Sequence, residues 1–367
     1  MSFHVPPYPY DRLRPIIEIA QQHAGGAVDC SIGTPCDDPP PFVLSALGDA
    51  QGARTYPASK GSPGYREAAS HWMRRMFGIS IDPNNVAACV GTKEFVASTP
   101  HLLKLRTPQR STVLYPAIAY PTYEMGARLA GCRPVAVPVD SAGQLDLGAL
   151  SPTDVSDALC IWVNTPSNPT GAVSDLTEVV EWAQRNGVTV LSDECYVEFT
   201  WATPAQSVLV HSTHNVLAVH SLSKRSNFAG ARAGFYAGDP DLVDYLCEVR
   251  KHMGLMVPGG VQVAGELAWN DDAHVAEQRE RYRGRLRRLI QILGRLGVEA
   301  SMPEGAFYVW ASSSDEDAWE LAGKCASACG LVVSPGEFYG ADCARYIRVA
   351  AVQPDSRLEL LEQRLAM

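Results

Sequence analysis

The chain has 367 residues, of which 46% are hydrophobic and 19% charged, a balance typical of a globular protein. Its length suggests two or three domains, or one large domain with a smaller one. Its 31 basic and 40 acidic residues give a formal net charge of −9, which argues against nucleic acid or an anionic membrane as a main partner. No apolar run approaches the roughly 20 residues of a membrane span, and residues 1–10 lack the pattern of a signal peptide, so we expect a cytoplasmic protein.

Short apolar strands alternate with helical segments in the middle of the chain. This rhythm predicts an α/β fold with a mostly parallel, seven-stranded sheet in a large domain over residues 45–255. One helix between the strands, 176–186, is followed by Gly187, a residue that commonly ends helices. The predicted strands are 86–90, 112–115, 134–139, 158–164, 188–192, 216–220 and 233–238.

The pattern changes after Gly254, where a Pro-Gly-Gly sequence at 258–260 interrupts the chain. A long amphipathic helix is predicted over about 274–296, and its arginines between 279 and 288 are expected to form a solvated face. Further strands are predicted at 306–312, 331–334 and 346–350. Residues 256–367, joined by 1–44, therefore form a predicted smaller α+β domain.

The ten cysteines are scattered through the chain without Cys-x-x-Cys spacing. Several lie inside apolar runs, for example Cys89 and Cys160, which predicts buried free thiols in a reducing compartment. The pair Cys325 and Cys329 lacks nearby partner histidines, so we expect no metal site.

Polar residues directly follow the predicted strands, at the edge where open α/β sheets bind ligands. Thr92 follows Gly91 at the start of a helix, which suits a phosphate but is also ordinary capping. Asn168 lies in a turn locked by prolines and could bind a ring hydroxyl, or the turn could be purely structural. Asp193 is either a helix cap or the carboxylate that keeps a pyridine nitrogen protonated, with Tyr196 on the same side.

The next strand end carries Lys224, in the sequence SLSKRSNFAGAR at 221–232. A lysine that forms an imine requires cationic neighbours or desolvation to suppress its charge. A phosphate requires hydroxyls and a fork-shaped arginine, here Ser221, Ser223 and Arg232. A single lysine is usually a solvated surface charge. Four successive strand ends with complementary groups instead favour a lysine that binds pyridoxal 5′-phosphate (PLP).

The order Gly-Thr, Asn-Pro-Thr-Gly, Asp-x-x-Tyr, Ser-x-Ser-Lys and then arginine resembles the fold-type I PLP-dependent aminotransferases of class I/II, whose fold is that of aspartate aminotransferase. The resemblance covers essentially the whole chain. It implies that Lys224 carries the internal aldimine and later moves the substrate proton. It implies a catalytic role for Asp193 at the ring nitrogen. It also implies that Asn168 and Tyr196 bind the ring oxygen, with Tyr196 in a catalytic role. The implied residues around the cofactor phosphate are Thr92, Ser221, Ser223 and Arg232, and Lys93 is a further expected cofactor-binding residue.

Four further residues take their roles from the same resemblance. Tyr120 matches the aromatic residue that stacks on the cofactor ring, although a core tyrosine is the alternative. Arg348 matches the arginine that, together with Asn168, binds the substrate α-carboxylate. Without such a partner, burying its charge in an apolar strand would cost folding free energy. Gly33 would let the backbone approach that carboxylate. Tyr56 matches a tyrosine that reaches the phosphate of a neighbouring subunit, which implies a homodimer with shared active sites, unless it packs locally.

The segments 31–35, 119–124 and 223–230 are similar to actinobacterial-type succinyldiaminopimelate aminotransferases of lysine biosynthesis. This implies amino-group exchange between glutamate or 2-oxoglutarate and N-succinyl-2-amino-6-oxopimelate. Candidates for binding its further carboxylates are Lys60, Lys93 and Arg225, each of which is also compatible with a solvated charge. Aminotransferases of aspartate, aromatic amino acids or LL-diaminopimelate remain alternatives, as does a PLP-dependent C–S lyase. A PLP-sensing transcription regulator is disfavoured by the net charge.

Overall fold

The computed structural model of the protein describes residues 6–48, 52, 54–140 and 142–366. Its strands are β1 (Val28–Asp29), β2 (Val86–Cys89), β3 (Thr112–Pro116), β4 (Arg133–Val137), β5 (Ala158–Asn164), β6 (Thr189–Asp193), β7 (Val216–Ser221), β8 (Gly234–Gly238), β9 (Tyr308–Ser312), β10 (Leu331–Val332), β11 (Ser334–Pro335) and β12 (Tyr346–Ala350). Its α-helices are α1 (Arg14–Ala20), α2 (Pro41–Ala46), α3 (Pro63–Phe77), α4 (Thr92–Arg106), α5 (Thr122–Leu129), α6 (Pro152–Asp157), α7 (Thr177–Asn186), α8 (Leu222–Arg225), α9 (Pro240–His252), α10 (Gly259–Asn270), α11 (Ala273–Arg295), α12 (Ala318–Cys329) and α13 (Asp355–Ala366).

The large sheet has seven strands in the order β2-β8-β7-β6-β5-β3-β4. Strands β3 to β7 pair in parallel, whereas β8 is antiparallel to both of its neighbours. These are the seven strands that the sequence predicts, with ends that differ by at most two residues. The predicted α/β fold with a mostly parallel seven-stranded sheet is therefore confirmed.

The central strand β5 explains why this sheet is covered on both faces. All seven of its residues are buried. Ile161 and Val163 pack into one core with Trp72, while Cys160 and Trp162 pack into a second core on the opposite face. Alternate side chains of a strand point to opposite faces, so an apolar residue at every position requires helices on both sides of the sheet.

A second group of elements packs around the long helix α11. Strands β11, β12 and β9 form an antiparallel sheet, and β1 near the N-terminus pairs in parallel with β10. In the register of this pair, Val28 lies opposite Leu331. Their shared core includes Tyr282, Leu286 and Phe307. Elements from both ends of the described chain thus build one packing unit, as the sequence suggests for the smaller domain.

Helix α10 lies on the side of the large sheet, although the sequence places residues 256–270 in the smaller domain. Its Ala264, Ala268 and Trp269 belong to the same core as Trp72 of α3. A Cβ at Gly265 would collide with the ring of Tyr65, so the glycine allows α10 to pack closely on α3. The division of the chain at residues 44/45 and 255/256 stays a prediction.

The prediction of a solvated arginine face on α11 is wrong for Arg285. This side chain is buried and donates two hydrogen bonds to the carboxylate of Asp37, at 2.5 and 2.8 Å. Residues 278, 282, 285 and 289 are all buried, and their spacing follows the inward face of a helix. Arg285 can occupy that face because Asp37, far away in the sequence, neutralises it.

The cysteines are free thiols, and most of them are buried. Within the described residues, no group of histidine, cysteine and acidic side chains is arranged to hold a metal ion. In the same part of the chain, no helix combines the length and the apolar character needed to cross a bilayer.

Candidate active site

A cavity of about 390 Å³ opens where β5, β6 and β7 end, a size within the usual range for small-molecule sites. Its lining contains every site residue proposed from the sequence except Tyr56 and two of the candidates for binding further carboxylates, Lys60 and Arg225. The proposed residues in the lining are Gly33, Thr92, Lys93, Tyr120, Asn168, Asp193, Tyr196, Ser221, Ser223, Lys224, Arg232 and Arg348. Tyr56 is 93% exposed on the surface of the chain.

Lys224 reaches the cavity from α8, a single helical turn that directly follows β7. The hydroxyl of Ser221 caps this turn by accepting a hydrogen bond from the backbone N–H of Ser223 at 3.0 Å. The Lys224 ammonium donates to the carbonyl of Gly33. Enclosure by the protein lowers the pKa of Lys224 to about 8, and the positive charges of Arg348 and Arg232 act in the same direction. A lysine with this pKa can exchange a proton near neutral pH.

Asp193 is the last residue of β6 and is held by two neutral donors. The Tyr123 hydroxyl donates to its Oδ2 at 3.0 Å, and the backbone N–H of Cys195 donates to its Oδ1 at 3.2 Å. Burial raises the pKa of Asp193, and these hydrogen bonds oppose that rise. A buried carboxylate with only neutral donors around it is suited to a cationic ligand atom.

An anion-binding corner lies between the start of α4 and Arg232. Thr92 is the first residue of α4, so the free backbone N–H groups of a 15-residue helix begin there. A Cβ at Gly91 would collide with the guanidinium of Arg232, which means that glycine is needed for the arginine to approach the helix start. The hydroxyls of Ser221 and Ser223 line the same cavity. Hydroxyls, a guanidinium and a helix N-terminus are the donors that a phosphate dianion requires.

Arg348 lies at the opposite limit of the site, on β12, and is 2% exposed. Its Nη1 donates to Oδ1 of Asn168 at 2.7 Å, and its Nη2 donates to the carbonyl of Ser31. The guanidinium carbon lies 4.3 Å from the ring centre of Tyr308 and 4.7 Å from that of Tyr339. Nη2 also donates to the Tyr10 hydroxyl at 3.3 Å, so two aromatic rings and three hydrogen bonds hold the guanidinium in one orientation.

The two residues expected at the cofactor's ring oxygen are bonded to protein groups. The hydroxyl of Tyr196 lies 2.7 Å from that of Tyr308. The side-chain oxygen of Asn168 accepts from Arg348, so its amide N–H₂ stays available to another acceptor. A Cβ at Gly33 would collide with the Tyr308 hydroxyl, so the packing of Tyr308 requires a glycine there.

Several residues of the cavity are not among the candidates from the sequence. Asn164 could have been found, because it ends β5 opposite Asp193 of β6, and its side chain donates to the Asp193 carbonyl at 2.7 Å. The others lack a local pattern of this kind. They include Tyr8, Tyr10, Tyr123, Cys195 and Tyr308.

The family model described as aminotransferase class I and II matches residues 26–365. A full-length relative, the 4-dedimethylamino-4-oxo-anhydrotetracycline transaminase OxyQ of Streptomyces rimosus, is 41% identical, over 98% of this chain and 99% of that protein. The chain therefore belongs to the class I and II aminotransferases. It is a PLP-dependent transaminase.

Other relatives and solved structures agree on this family. A probable aminotransferase of Mycobacterium tuberculosis is 41% identical over 100% of this chain and 86% of its own length. An LL-diaminopimelate aminotransferase of Desulforudis audaxviator is 31% identical over 99% and 95%. The solved structure of a probable N-succinyldiaminopimelate aminotransferase from Thermus thermophilus superposes with a TM-score of 0.86 and 26% identity, covering 98% of this chain and 100% of that one.

PLP matches the donor set of the cavity at three separate points. Asp193 offers a buried carboxylate for the ring nitrogen. The corner around Thr92 and Arg232 offers donors for the phosphate, and Lys224 offers an amine with a lowered pKa for the aldehyde. These residues therefore fit the cofactor of the family.

Proposed function

We propose that Lys224 binds PLP covalently and that Asp193 faces the cofactor's ring nitrogen. Thr92, Ser221, Ser223 and Arg232 bind the phosphate. The observation that carries this proposal is that groups from separate strand ends, suited to the amine, ring and phosphate positions, line one cavity. The remaining proposed contacts are those of Lys93, Tyr120, Asn168 and Tyr196 with the cofactor.

Bound PLP supplies an aldehyde that takes up the amino group and a ring that accepts electrons from the substrate Cα. The protein then has to orient the substrate and move one proton. Arg348 binds the α-carboxylate, because its fixed guanidinium matches that group in shape and charge. Lys224, with a pKa of about 8, would take up the proton at the substrate Cα and release it again.

Arg348→Lys is expected to lower kcat/KM for the amino donor by about 10²- to 10³-fold. Lysine keeps the positive charge but loses the fork that can bond Asn168, Ser31 and a carboxylate together. Steady-state kinetics with glutamate measure the effect. Arg345→Lys, at an exposed position close by in the sequence, is the control and should change kcat/KM less than about 3-fold. Equal losses in both variants would contradict the proposed role.

We also propose a homodimer in which Tyr56 of a second copy completes each phosphate site. The 93% exposure of Tyr56 supports this, because a large aromatic side chain so open to solvent is available to a partner surface. Tyr56→Ala should weaken PLP retention during dialysis without lowering the thermal stability of the chain. Light scattering then measures whether the purified protein is a dimer, and a monomer that retains PLP fully would refute the shared site.

For the oxo-acid substrate we propose N-succinyl-2-amino-6-oxopimelate, with glutamate as the amino donor. The resemblance of the sequence motifs and the likeness to the Thermus structure support this substrate. Among the three basic candidates for its further carboxylates, Lys93 lines the cavity. Lys60 instead pairs with Asp244, and Arg225 is buried in a hydrogen-bond network away from the cavity. We therefore do not propose Lys60 or Arg225 as a substrate-binding residue.

Lys93 is placed to meet a carboxylate beside an aromatic surface. Its Nζ lies 5.4 Å from the ring centre of Tyr8 and 5.9 Å from that of Tyr120. Burial works against its charge, but the hydroxyls of Tyr120 and Tyr8 outweigh burial and raise the pKa of Lys93. The ammonium is therefore charged at neutral pH.

A second candidate is an oxo substrate with a large ring system, as in the name of the Streptomyces rimosus relative. The aromatic side chains of Tyr8, Tyr10 and Tyr120 in the cavity favour it. LL-diaminopimelate is a further alternative. A cystathionine-type lyase would release ammonia and pyruvate instead of exchanging an amino group.

A screen of amino donors with 2-oxoglutarate, including N-succinyl-diaminopimelate, tests the substrate proposal. Lys93→Gln should raise KM for the succinylated substrate by at least about tenfold, and KM for alanine by less than about threefold, because alanine has no distal carboxylate. PLP retention in the same variant separates a cofactor role of Lys93 from a substrate role. If the enzyme does not turn over the succinylated compound but turns over another donor well, the substrate proposal is refuted and the aminotransferase activity is not.

A further inference from the structure

Arg225 directly follows the candidate catalytic lysine and is the last residue of α8. Its side chain is only 2% exposed. A guanidinium in the protein interior is costly unless its donors are satisfied. The partners of Arg225 therefore show what this charge does in the fold.

All three nitrogens of the Arg225 guanidinium donate hydrogen bonds. Nε donates to Oε1 of Glu198 at 2.8 Å. Nη1 donates to the carbonyl of Ala268 at 2.5 Å, and Nη2 donates to the carbonyl of Asp271 at 3.0 Å and to Oδ1 of Asp272 at 2.8 Å. The planar fork of arginine reaches these acceptors together, which the single ammonium of lysine cannot do.

The first of these partners connects α8 to the segment after β6. Glu198 lies two residues beyond Tyr196, in the stretch that begins at Asp193. The bond from Arg225 to Glu198 therefore joins the helix of Lys224 to the segment that supplies the proposed ring contacts. The helix that carries the amine is thus connected to the segment that carries the Asp193 carboxylate.

The other partners lie where α10 ends and α11 begins. Ala268 is in the last turn of α10, and Asp271 and Asp272 link it to α11. A second bond supports the same junction, because Nε2 of His274 in α11 lies 2.9 Å from the hydroxyl of Ser226, which follows α8. The α8 turn is thus attached to the start of the helix that organises the smaller packing unit.

We propose that Arg225 is a positioning residue for Lys224. A single helical turn is not stable by itself, so the place of Lys224 in the cavity depends on what α8 is attached to. Arg225 supplies that attachment on two sides, through Glu198 and through the α10–α11 junction. This inference rests on the proposed role of Lys224.

Arg75 provides a matched control, because it binds the same junction from α3. Its Nε donates to Oδ2 of Asp272 at 2.8 Å, and its Nη2 donates to the carbonyl of Trp269 at 2.7 Å. None of its hydrogen bonds reaches α8. Arg75→Lys therefore weakens the junction without releasing Lys224.

The experiment compares Arg225→Lys with Arg75→Lys in the PLP-loaded enzyme. Arg225→Lys should lower kcat by about 10- to 100-fold with KM for glutamate changed less than about 3-fold, since a small displacement of the reacting amine affects chemistry more than binding. The absorbance of the lysine-bound cofactor changes with pH, and the midpoint of this change should move by at least about half a unit. The reason is that a displaced Lys224 lies at different distances from its charged neighbours. Arg75→Lys should leave both readouts near the wild-type values.

Arg225→Gln tests the same attachment with the charge removed. If Arg225→Gln does not fold, the comparison of Arg225→Lys with Arg75→Lys remains decisive. The inference is overturned if Arg225→Lys folds and matches Arg75→Lys in kcat and in the pH midpoint. If the cofactor absorbance of Lys224→Ala equals that of the wild-type enzyme, the role of the lysine itself is refuted. The two failures are therefore distinguishable.

Discussion

Lys224→Ala will lower transaminase turnover by about 10⁴-fold or more, because one substitution removes both the cofactor's proposed covalent anchor and the proposed proton carrier. Lys224 lies in the cavity, contacts Gly33 and has a pKa lowered to about 8. Lys93 also lines the cavity, but its raised pKa makes it a poor acceptor of a proton at neutral pH.

Two measurements check this expectation. Turnover with glutamate and 2-oxoglutarate gives the loss in rate, and the absorbance band of the lysine-bound cofactor should disappear. Lys60→Ala is the control, because that lysine pairs with Asp244 away from the cavity and should retain both. Full turnover by Lys224→Ala would mean that the central assignment of the site is wrong.

Asp193→Asn is expected to lower kcat by about 10²- to 10³-fold with little change in the fold. The amide has nearly the shape of the carboxylate but no charge with which to keep a ring nitrogen protonated. It also has one acceptor where the carboxylate has two, so it cannot accept from Tyr123 and from the backbone of Cys195 in the same way. With Asp193 in its proposed place at the ring nitrogen, both effects weaken electron withdrawal by the ring of bound PLP.

The control for this variant is Tyr123→Phe, which removes one donor to Asp193 and keeps its charge. It should lower kcat by less than about tenfold. Single-turnover measurement of the change in cofactor absorbance with glutamate separates chemistry from substrate binding in both variants. If Asp193→Asn and Tyr123→Phe behave alike, the charge of Asp193 is not what the reaction needs.

Much of the site follows from local rules in the sequence. The strands are short apolar runs, and ligands of α/β sheets gather at the strand ends, so Asp193 and Lys224 can be proposed without a structure. Arg348 stands out for a different reason, since an arginine between apolar strand neighbours requires a partner. The structure supplies Asn168 and Ser31 as those partners.

Other features depend on pairs that are far apart in the chain. Arg285 and Asp37 are separated by 248 positions, and Arg225 and Asp272 by 47, so no local pattern shows that these arginines are buried. The Pro-Gly-Gly sequence at the start of α10 suggests a boundary between domains. In the structure, a Cβ at Gly259 would also collide with the backbone of Gly52, so close packing requires the glycine, and the sequence does not show this.

The pairing of β1 with β10 sets an order of events during synthesis on the ribosome. The last strand of the large sheet ends at Gly238. All strands of this sheet can therefore pair while the rest of the chain is still being synthesised. Val28 has to wait for Leu331 before it can pair. Gly33, close behind β1, contributes to the cavity, and Arg348 is translated later still. A nascent chain therefore contains every strand of the large sheet well before it contains every residue that lines the cavity.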